Sequence, residues 1–326
     1  MRKILLPILC CPETGEDLTL EIKTQDETGD ILEGTLRSPA GNEYPITNGV
    51  PRFTKSSEVS NKSQTVRAFG KEWEHFDDFK KHINSKELLF EFMHPVNEET
   101  IKGKKVIELG CGGGRWLERF AECGAELVVG IDLSTSVEQA VNRTRKYKNV
   151  EIIQADILKP PVKRVFDLTA SLGVIHHLPE PAKGITTGIK TVKTGGRMTI
   201  WIYSKEGNEL YLRLVKPLRK ICPLLPHSVL LVISYLLAVP VYLHACITNP
   251  IFKKLNWKLP LLEYLGIIRK LRFVDLVNVV YDQLAPNLAF YASHDDVMKW
   301  VNDSQCKLVE LTMRTNNSWR IHLEPE

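Results

Sequence analysis

The chain has 326 residues, enough for one large domain with an added module. With 43% hydrophobic and 25% charged residues it reads as a folded protein and not a disordered one, and a formal net charge of +4 leaves no electrostatic footprint of a nucleic-acid binder. The 7 cysteines are odd in number and irregularly spaced, which argues against a secreted disulfide framework and for a reducing compartment.

The opening "MRKILLPILCCPETGED" has too short an apolar run for a signal peptide, is broken by Pro7, and lacks a small-residue cleavage site. Residues 1–55 predict a small β module, with strands in "LTLEIK" (18–23), "ILEGTLR" (31–37) and "NEYPI" (42–46) separated by Gly, Asp and Pro turns. Residues 56–103 predict a polar linker followed by helices, with Phe69, Trp73 and Phe76 at helical spacing. From Lys104 strands and helices alternate. "KKVIELG", "LVVGID" (127–132), "VEIIQAD" (150–156), "VFDLTASLGV" (165–174) and "RMTIWIY" (197–203) are the strands, and "RWLERFAECG" and "VEQAVNRTRKY" are the first intervening helices. Mostly apolar strands that alternate with helices predict a parallel sheet covered on both faces, with ligands at the carboxyl ends of its strands. "HDDVMKWVND" predicts a helix capped by Ser293 or His294, and "KLVELTMR" (307–314), "TNN" and "SWRIHLE" (318–324) predict an antiparallel hairpin. The fold class is therefore α/β: a doubly wound, mostly parallel, seven-stranded sheet over 104–326, ending in a hairpin and interrupted by a helical insertion at about 205–290.

The first strand of that sheet runs into E-x-G-x-G-x-G (Glu108, Gly110, Gly112, Gly114) where a helix should begin. Glycines there permit backbone angles closed to other residues and let a ligand approach the main chain. The spacing is not the G-x-G-x-x-G of a dinucleotide site. Asp132 ends the second strand, where a carboxylate can accept from both hydroxyls of a ribose. Asp156 ends the third, a position suited to an adenine amino group, with Ile157 beside the ring.

"VIELGCGGGR", "GIDLS", "QADI", "FDLTASLGVIHHLPEP" and "GGRMTIWIY" together resemble the successive motifs of class I S-adenosylmethionine-dependent methyltransferases of the small-molecule, type 11-like kind. The resemblance implies S-adenosylmethionine as cofactor. Glu108, Gly110, Cys111 and Gly112 would lie along its methionine and ribose, Asp132 would take the ribose, Asp156 and Ile157 the adenine, and Leu133 and Leu172 would complete the site. A nicotinamide enzyme would share the glycine turn and the second-strand acid, but the third-strand acid and the terminal hairpin tilt against it.

"SLGVIHHLP" leaves the fourth strand where a methyl acceptor is expected, and His176 or His177 could serve as the base for a hydroxyl acceptor. The plainer reading is that one packs against a helix and the other bonds the main chain. The absence of [DNS]-P-P-[YFW] at this place disfavours a base or amide nitrogen and favours oxygen or carbon.

"LLPILCCPETGEDLTL" with "GTLRSPAGNEYPITNGVPRF" resembles the zinc-ribbon-like methyltransferase activator Trm112, stripped of its metal cysteines. Thr14, Arg37, Ser38 and Gly41 stand where ligands belong in that family. Adjacent Cys10 and Cys11 cannot make a four-ligand site, so no metal is expected. A core of Leu5, Ile8, Leu18, Leu20, Ile46 and Val50 would hold the module instead.

Residues 228–247, "SVLLVISYLLAVPVYLHACI", carry no Asp, Glu, Lys or Arg. A helix rising about 1.5 Å per residue over that length could span a bilayer. Pro240 and the return of the chain to the same sheet argue against spanning. A buried cap over the acceptor pocket is the leading reading, and a membrane-facing lid flanked by Lys216, Arg219, Lys220, Lys253, Lys254 and Lys258 is the next. Tyr203, Tyr281 and Tyr291 could line the acceptor wall. The expected function is methyl transfer to a small apolar or lipid-linked acceptor, in the cytoplasm, with or without peripheral membrane contact. An RNA or protein methyltransferase with a built-in activator, and a non-catalytic cofactor-binding adapter, are the alternatives. Nucleic acid as a partner is disfavoured.

Overall fold

Short apolar segments near the N-terminus can form a core only by closing on one another and on a neighbour. A 3-10 turn over Lys3–Ile8 precedes β1 (Thr19–Gln25), β2 (Ile31–Arg37), β3 (Glu43–Thr47) and the two-residue β4 (Val50–Pro51), which pair in that order as an antiparallel sheet. The computed structural model describes residues 1–54, 70, 85–255, 266 and 268–326. The expected linker and Phe69, Trp73 and Phe76 lie outside the described residues.

Leu5, Leu9, Ile31, Leu36 and Ile46 are buried, and they share one apolar cluster with Ile153, Ile157 and Val162 of the larger unit; Val50 is buried as well. The module is thus half of a joint core. Its backbone is stitched to the larger unit by Cys10 N–H to Pro161 O (3.0 Å), Lys163 N–H to Ile8 O (2.8 Å) and Phe53 N–H to Gln154 O (2.8 Å). Arg2 donates to Val150 O (2.8 Å) and the Glu151 carboxylate (3.1 Å), and Arg52 donates to Gln154 Oε1 (2.8 Å) and Glu138 Oε1 (2.6 Å). These contacts cover an edge strand that would otherwise present unpaired backbone groups.

Of the positions named for the missing metal ligands, Ser38 meets Cys11 through Asn42. Cys11 Sγ lies 3.2 Å from Tyr44 Oη and 3.7 Å from Asn42 Nδ2, and Asn42 Nδ2 donates to Ser38 Oγ (3.2 Å). These side chains form a small hydrogen-bonded knot. Burial pushes the Cys11 thiol up, but bonds from Thr14, Tyr44 and the main chain outweigh it and lower the thiol to about 7. Among the described residues no group of three His, Cys, Asp or Glu could hold a metal.

Helices α1 (Lys86–Met93) and α2 (Glu98–Ile101) lead into the large sheet, made of β5 (Lys105–Leu109), β6 (Leu127–Asp132), β7 (Val150–Gln154), β8 (Phe166–Leu172), β9 (Val192–Tyr203), β10 (Cys306–Arg314) and β11 (Ser318–Pro325). The spatial order is β10-β11-β9-β8-β5-β6-β7. β5 to β9 are mutually parallel, whereas β11 is antiparallel to both β9 and β10. Crossovers are made by α3 (Arg115–Glu122), α4 (Val137–Thr144) and α5 (Pro181–Ile189). The insertion contributes α6 (Glu209–Arg219), α7 (His227–Leu243), α8 (Asn249–Lys254) and α9 (Phe273–Leu284), and α10 (His294–Asp303) precedes the hairpin. Ser293, and not His294, caps α10: its hydroxyl accepts from Asp296 N–H while Asp296 Oδ2 accepts from Ser293 N–H.

Candidate active site

The strand order reverses beside β5, so the carboxyl ends of β5, β6 and β8 open onto one crevice. Chain crowding at the first turn demands glycine. Gly110 has φ +81°, and a Cβ there would fall 2.5 Å from Val174 of the β8 exit. Its N–H and that of Cys111 both donate to Ile131 O, at 2.7 and 3.0 Å. Gly112 is also left-handed (φ 51°), and its N–H donates to Asp132 Oδ2 at 2.9 Å. The other oxygen of Asp132 accepts from Ser134 N–H (2.8 Å) and Ser134 Oγ–H (2.7 Å). One carboxylate therefore fixes the turn after β5 and the turn after β6 together. Gly114, left-handed with φ +75°, starts α3 pressed against Ala140.

Glu108 is buried beneath this turn, and its Oε2 has no hydrogen-bond partner. Burial pushes its carboxyl well above the usual range; Arg115 opposes that effect and Asp132 adds to it. Burial likewise raises the Cys111 thiol well above its ordinary value, so the thiol stays protonated and is no nucleophile. At the next strand tip Asp156 Oδ1 accepts from Leu158 N–H (2.9 Å), and Ile157 is buried beside it. Leu133 and Leu172 are half-buried at the ends of β6 and β8. A buried carboxyl oxygen with no donor, under a turn of left-handed glycines, suits a ligand that carries an ammonium group.

The other half of the crevice is built at β8 and β9. His176 and His177 lie on a 3-10 turn, Ile175–His177, with ring centroids 4.2 Å apart. His176 is fully buried, neither ring nitrogen has a hydrogen-bond partner, and it stacks on Tyr203 at 4.3 Å. Burial drives its pKa well below the ordinary value, with the charges of His177 and Arg219 acting the same way. His177 Nδ1 lies 2.7 Å from Leu288 O. A carbonyl can only accept, so Nδ1 carries the proton of the neutral ring and Nε2 carries the lone pair. Burial lowers the His177 pKa too, while the Leu288 bond and the charge of Asp282 pull it back up.

Around these histidines stands a polar cluster that sequence reasoning reached only in part. Gln283 Nε2 donates to Tyr203 Oη (2.8 Å), and Gln283 Oε1 accepts from Tyr211 Oη (2.8 Å) and Tyr291 Oη (2.7 Å). Tyr203 Oη donates to Asp282 Oδ2 at 3.3 Å, and Arg219 Nε donates to Gln283 O at 2.6 Å. Tyr203 and Tyr291, named as candidates for the acceptor wall, both join this cluster. Tyr281 does not: its hydroxyl pairs with His227 Nδ1 (2.8 Å) inside the insertion's own core. Tyr211, Asp282, Gln283 and Arg219 were missed. The one available signal was the polar pair Asp282–Gln283 at the end of the helix.

The family description "Methyltransferase domain" matches residues 101–234. That match covers less than half of the chain. The chain is 31% identical over 108 residues to a ubiquinone biosynthesis O-methyltransferase of Coxiella burnetii, covering 30% of this chain and 43% of that protein. It is 31% identical over 114 residues to a tRNA U34 carboxymethyltransferase of Pseudoalteromonas translucida, covering 34% of this chain and 35% of that one. The chain therefore spans less than half the length of either relative. The solved complex of the Haloferax volcanii Trm112 methyltransferase activator with a methyltransferase matches over 80% of this chain and 96% of that chain, at 13% identity and TM-score 0.49.

The crevice brings Glu108, Gly110, Cys111, Gly112 and Asp132 together at one end and His176 and His177 at the other. Asp156 and Ile157 sit at the next strand tip.

Proposed function

We propose that this protein transfers the methyl group of S-adenosylmethionine to an oxygen of a small, apolar or lipid-linked acceptor. S-adenosylmethionine brings a methyl group already activated by its sulfonium, so the protein's tasks are to bind, orient, exclude water and take up a proton. Glu108 and the Gly110–Gly112 turn would hold the methionine end, Asp132 the ribose, and Asp156 with Ile157 the adenine. The unpartnered oxygen of Glu108 supports this assignment.

The observation that carries the oxygen acceptor is the hydrogen bond from His177 to Leu288. It fixes the tautomer with Nε2 as the proton-accepting atom, beside an acidic and hydroxyl-rich wall. His177 is the base in this reading. His176, with no bonding partner and a depressed pKa, is the plate on which His177 and Tyr203 pack. Tyr203, Gln283 and Tyr291 orient the acceptor's polar end. The similarity to a ubiquinone biosynthesis O-methyltransferase supports an oxygen acceptor. The unpaired cysteines support a cytoplasmic setting.

The test offers labelled S-adenosylmethionine together with a prenylated catechol in detergent, or with bulk tRNA. Label is expected in the organic extract and should fall by about a hundredfold in His177→Ala with cofactor affinity kept. Label confined to tRNA would overturn the reading.

A further inference from the structure

We infer that the insertion docks this protein on an anionic lipid surface through the outer faces of α6 and α7. Helix α7 has two faces of different fate. Leu230, Ser234 and Ala238 are buried and face the cluster shared with α9. Val229, Val232, Leu236, Val239 and Leu243, at the alternate helical spacing, are exposed, with Leu236 at 67%. A surface helix of a water-soluble domain carries polar residues on that face. α6 repeats the pattern, with Leu210, Leu214 and Leu218 exposed one turn apart. Two exposed apolar stripes, on helices that both pack against α9, leave apolar surface that needs a partner.

Charge identifies the partner. Between Glu209 and Glu263 the sequence has no acid, whereas it has Arg213, Lys216, Arg219, Lys220, Lys253, Lys254 and Lys258. Arg213, Lys216 and Lys220 are exposed on the helix that carries the α6 stripe. Apolar residues interleaved with cations match an interface between acyl chains and anionic headgroups. A second copy of this chain fits poorly, because a twofold pairing would set these cations against themselves, and protein interfaces are depleted in lysine. Spanning fits poorly too. The continuous helix His227–Phe252 is long and apolar enough to cross, but α7 packs against α9, whose buried face holds Asp275 and Asn278. Crossing would strip those groups of their cover and leave them in hydrocarbon. Lying in the interface keeps the α7–α9 packing intact. It also sets α9, which carries Asp282 and Gln283 of the acceptor wall, between the lipid and the histidines.

Flotation on phosphatidylcholine vesicles with and without phosphatidylserine tests this on the full chain, whatever the acceptor. The wild type should float with the anionic vesicles, more weakly as salt rises. Both Leu214→Ser/Leu236→Ser and Lys216→Glu/Lys220→Glu should lose at least about tenfold in vesicle affinity, with melting temperature and S-adenosylmethionine affinity retained. Failure of the wild type to float, or equal flotation by both variants, would overturn the inference. So would a wild-type dimer in sedimentation that Leu214→Ser/Leu236→Ser dissociates, since the patch would then belong to a second copy.

Discussion

The two ends of the crevice are built on different principles. At the tips of β5 and β6 the decisive contacts are made by backbone N–H donors: the Asp132 carboxylate accepts from Gly112 and Ser134, and the Ile131 carbonyl accepts from Gly110 and Cys111. At β8 and β9 they are side-chain bonds gathered from far apart, Tyr203 and Tyr211 reaching Gln283 from α9. The first end is stiff and nearly independent of side-chain choice beyond glycine and carboxylate. The second end is a surface of interchangeable hydroxyls and amides. A cofactor that never changes suits the first, and an acceptor that differs between relatives suits the second.

The comparison breaks most sharply at Gly110. Gly110→Val would force a β-branched residue to φ +81° and drive its Cβ into Val174. A loss of about 3 kcal/mol in urea unfolding is expected, together with cofactor binding. Unchanged stability would mean that the turn is not rigid. Gln283→Leu cuts three tyrosine links at the other end. The acceptor KM should rise about tenfold while cofactor affinity holds, because the side-chain bonds of Gln283 go to Tyr203, Tyr211, Tyr291 and Asp282 and not to the turns after β5 and β6. A parallel fall in cofactor affinity would show that the ends are one unit.

The smallest expected effect concerns protons. His176 is buried neutral, with its folded pKa below the unfolded value near 6.5. Its contribution is fully present above that value, and it is lost as pH falls through it, because only the unfolded chain then takes up the proton. Between about pH 7 and about pH 5.5 this single group should cost about 1 kcal/mol, and His176→Phe should flatten the urea-derived stability profile by that amount. His177 and His322 have lowered pKa values as well and leave a residual slope in the variant.

Legibility in the sequence follows the same division. Glu108, Gly112, Asp132 and Asp156 stand at strand ends, so strand periodicity alone puts them at one edge of the sheet. The reason for Gly110 was hidden, because Val174 reaches it from another strand. Gln283 and Arg219 were invisible for the same reason: nothing in "VVYDQLAP" or "PLRK" says that the two meet. The docking of the N-terminal module rests on Arg2 and Arg52 finding Glu151, Gln154 and Glu138 at distant positions. The insertion was opaque for a different cause. Residues 228–247 are apolar all round, so periodicity could not tell the face that packs on α9 from the face that remains exposed.

The central claim is that one carboxylate at the end of β6 and the glycine turn it holds form the seat of S-adenosylmethionine. Isothermal titration of the full chain with that cofactor, for the wild type and for Asp132→Ala of matched melting temperature, measures it directly. Binding at least about tenfold weaker in the variant, or about 1.4 kcal/mol, is the expected result. Equal affinity in the two proteins would contradict the account.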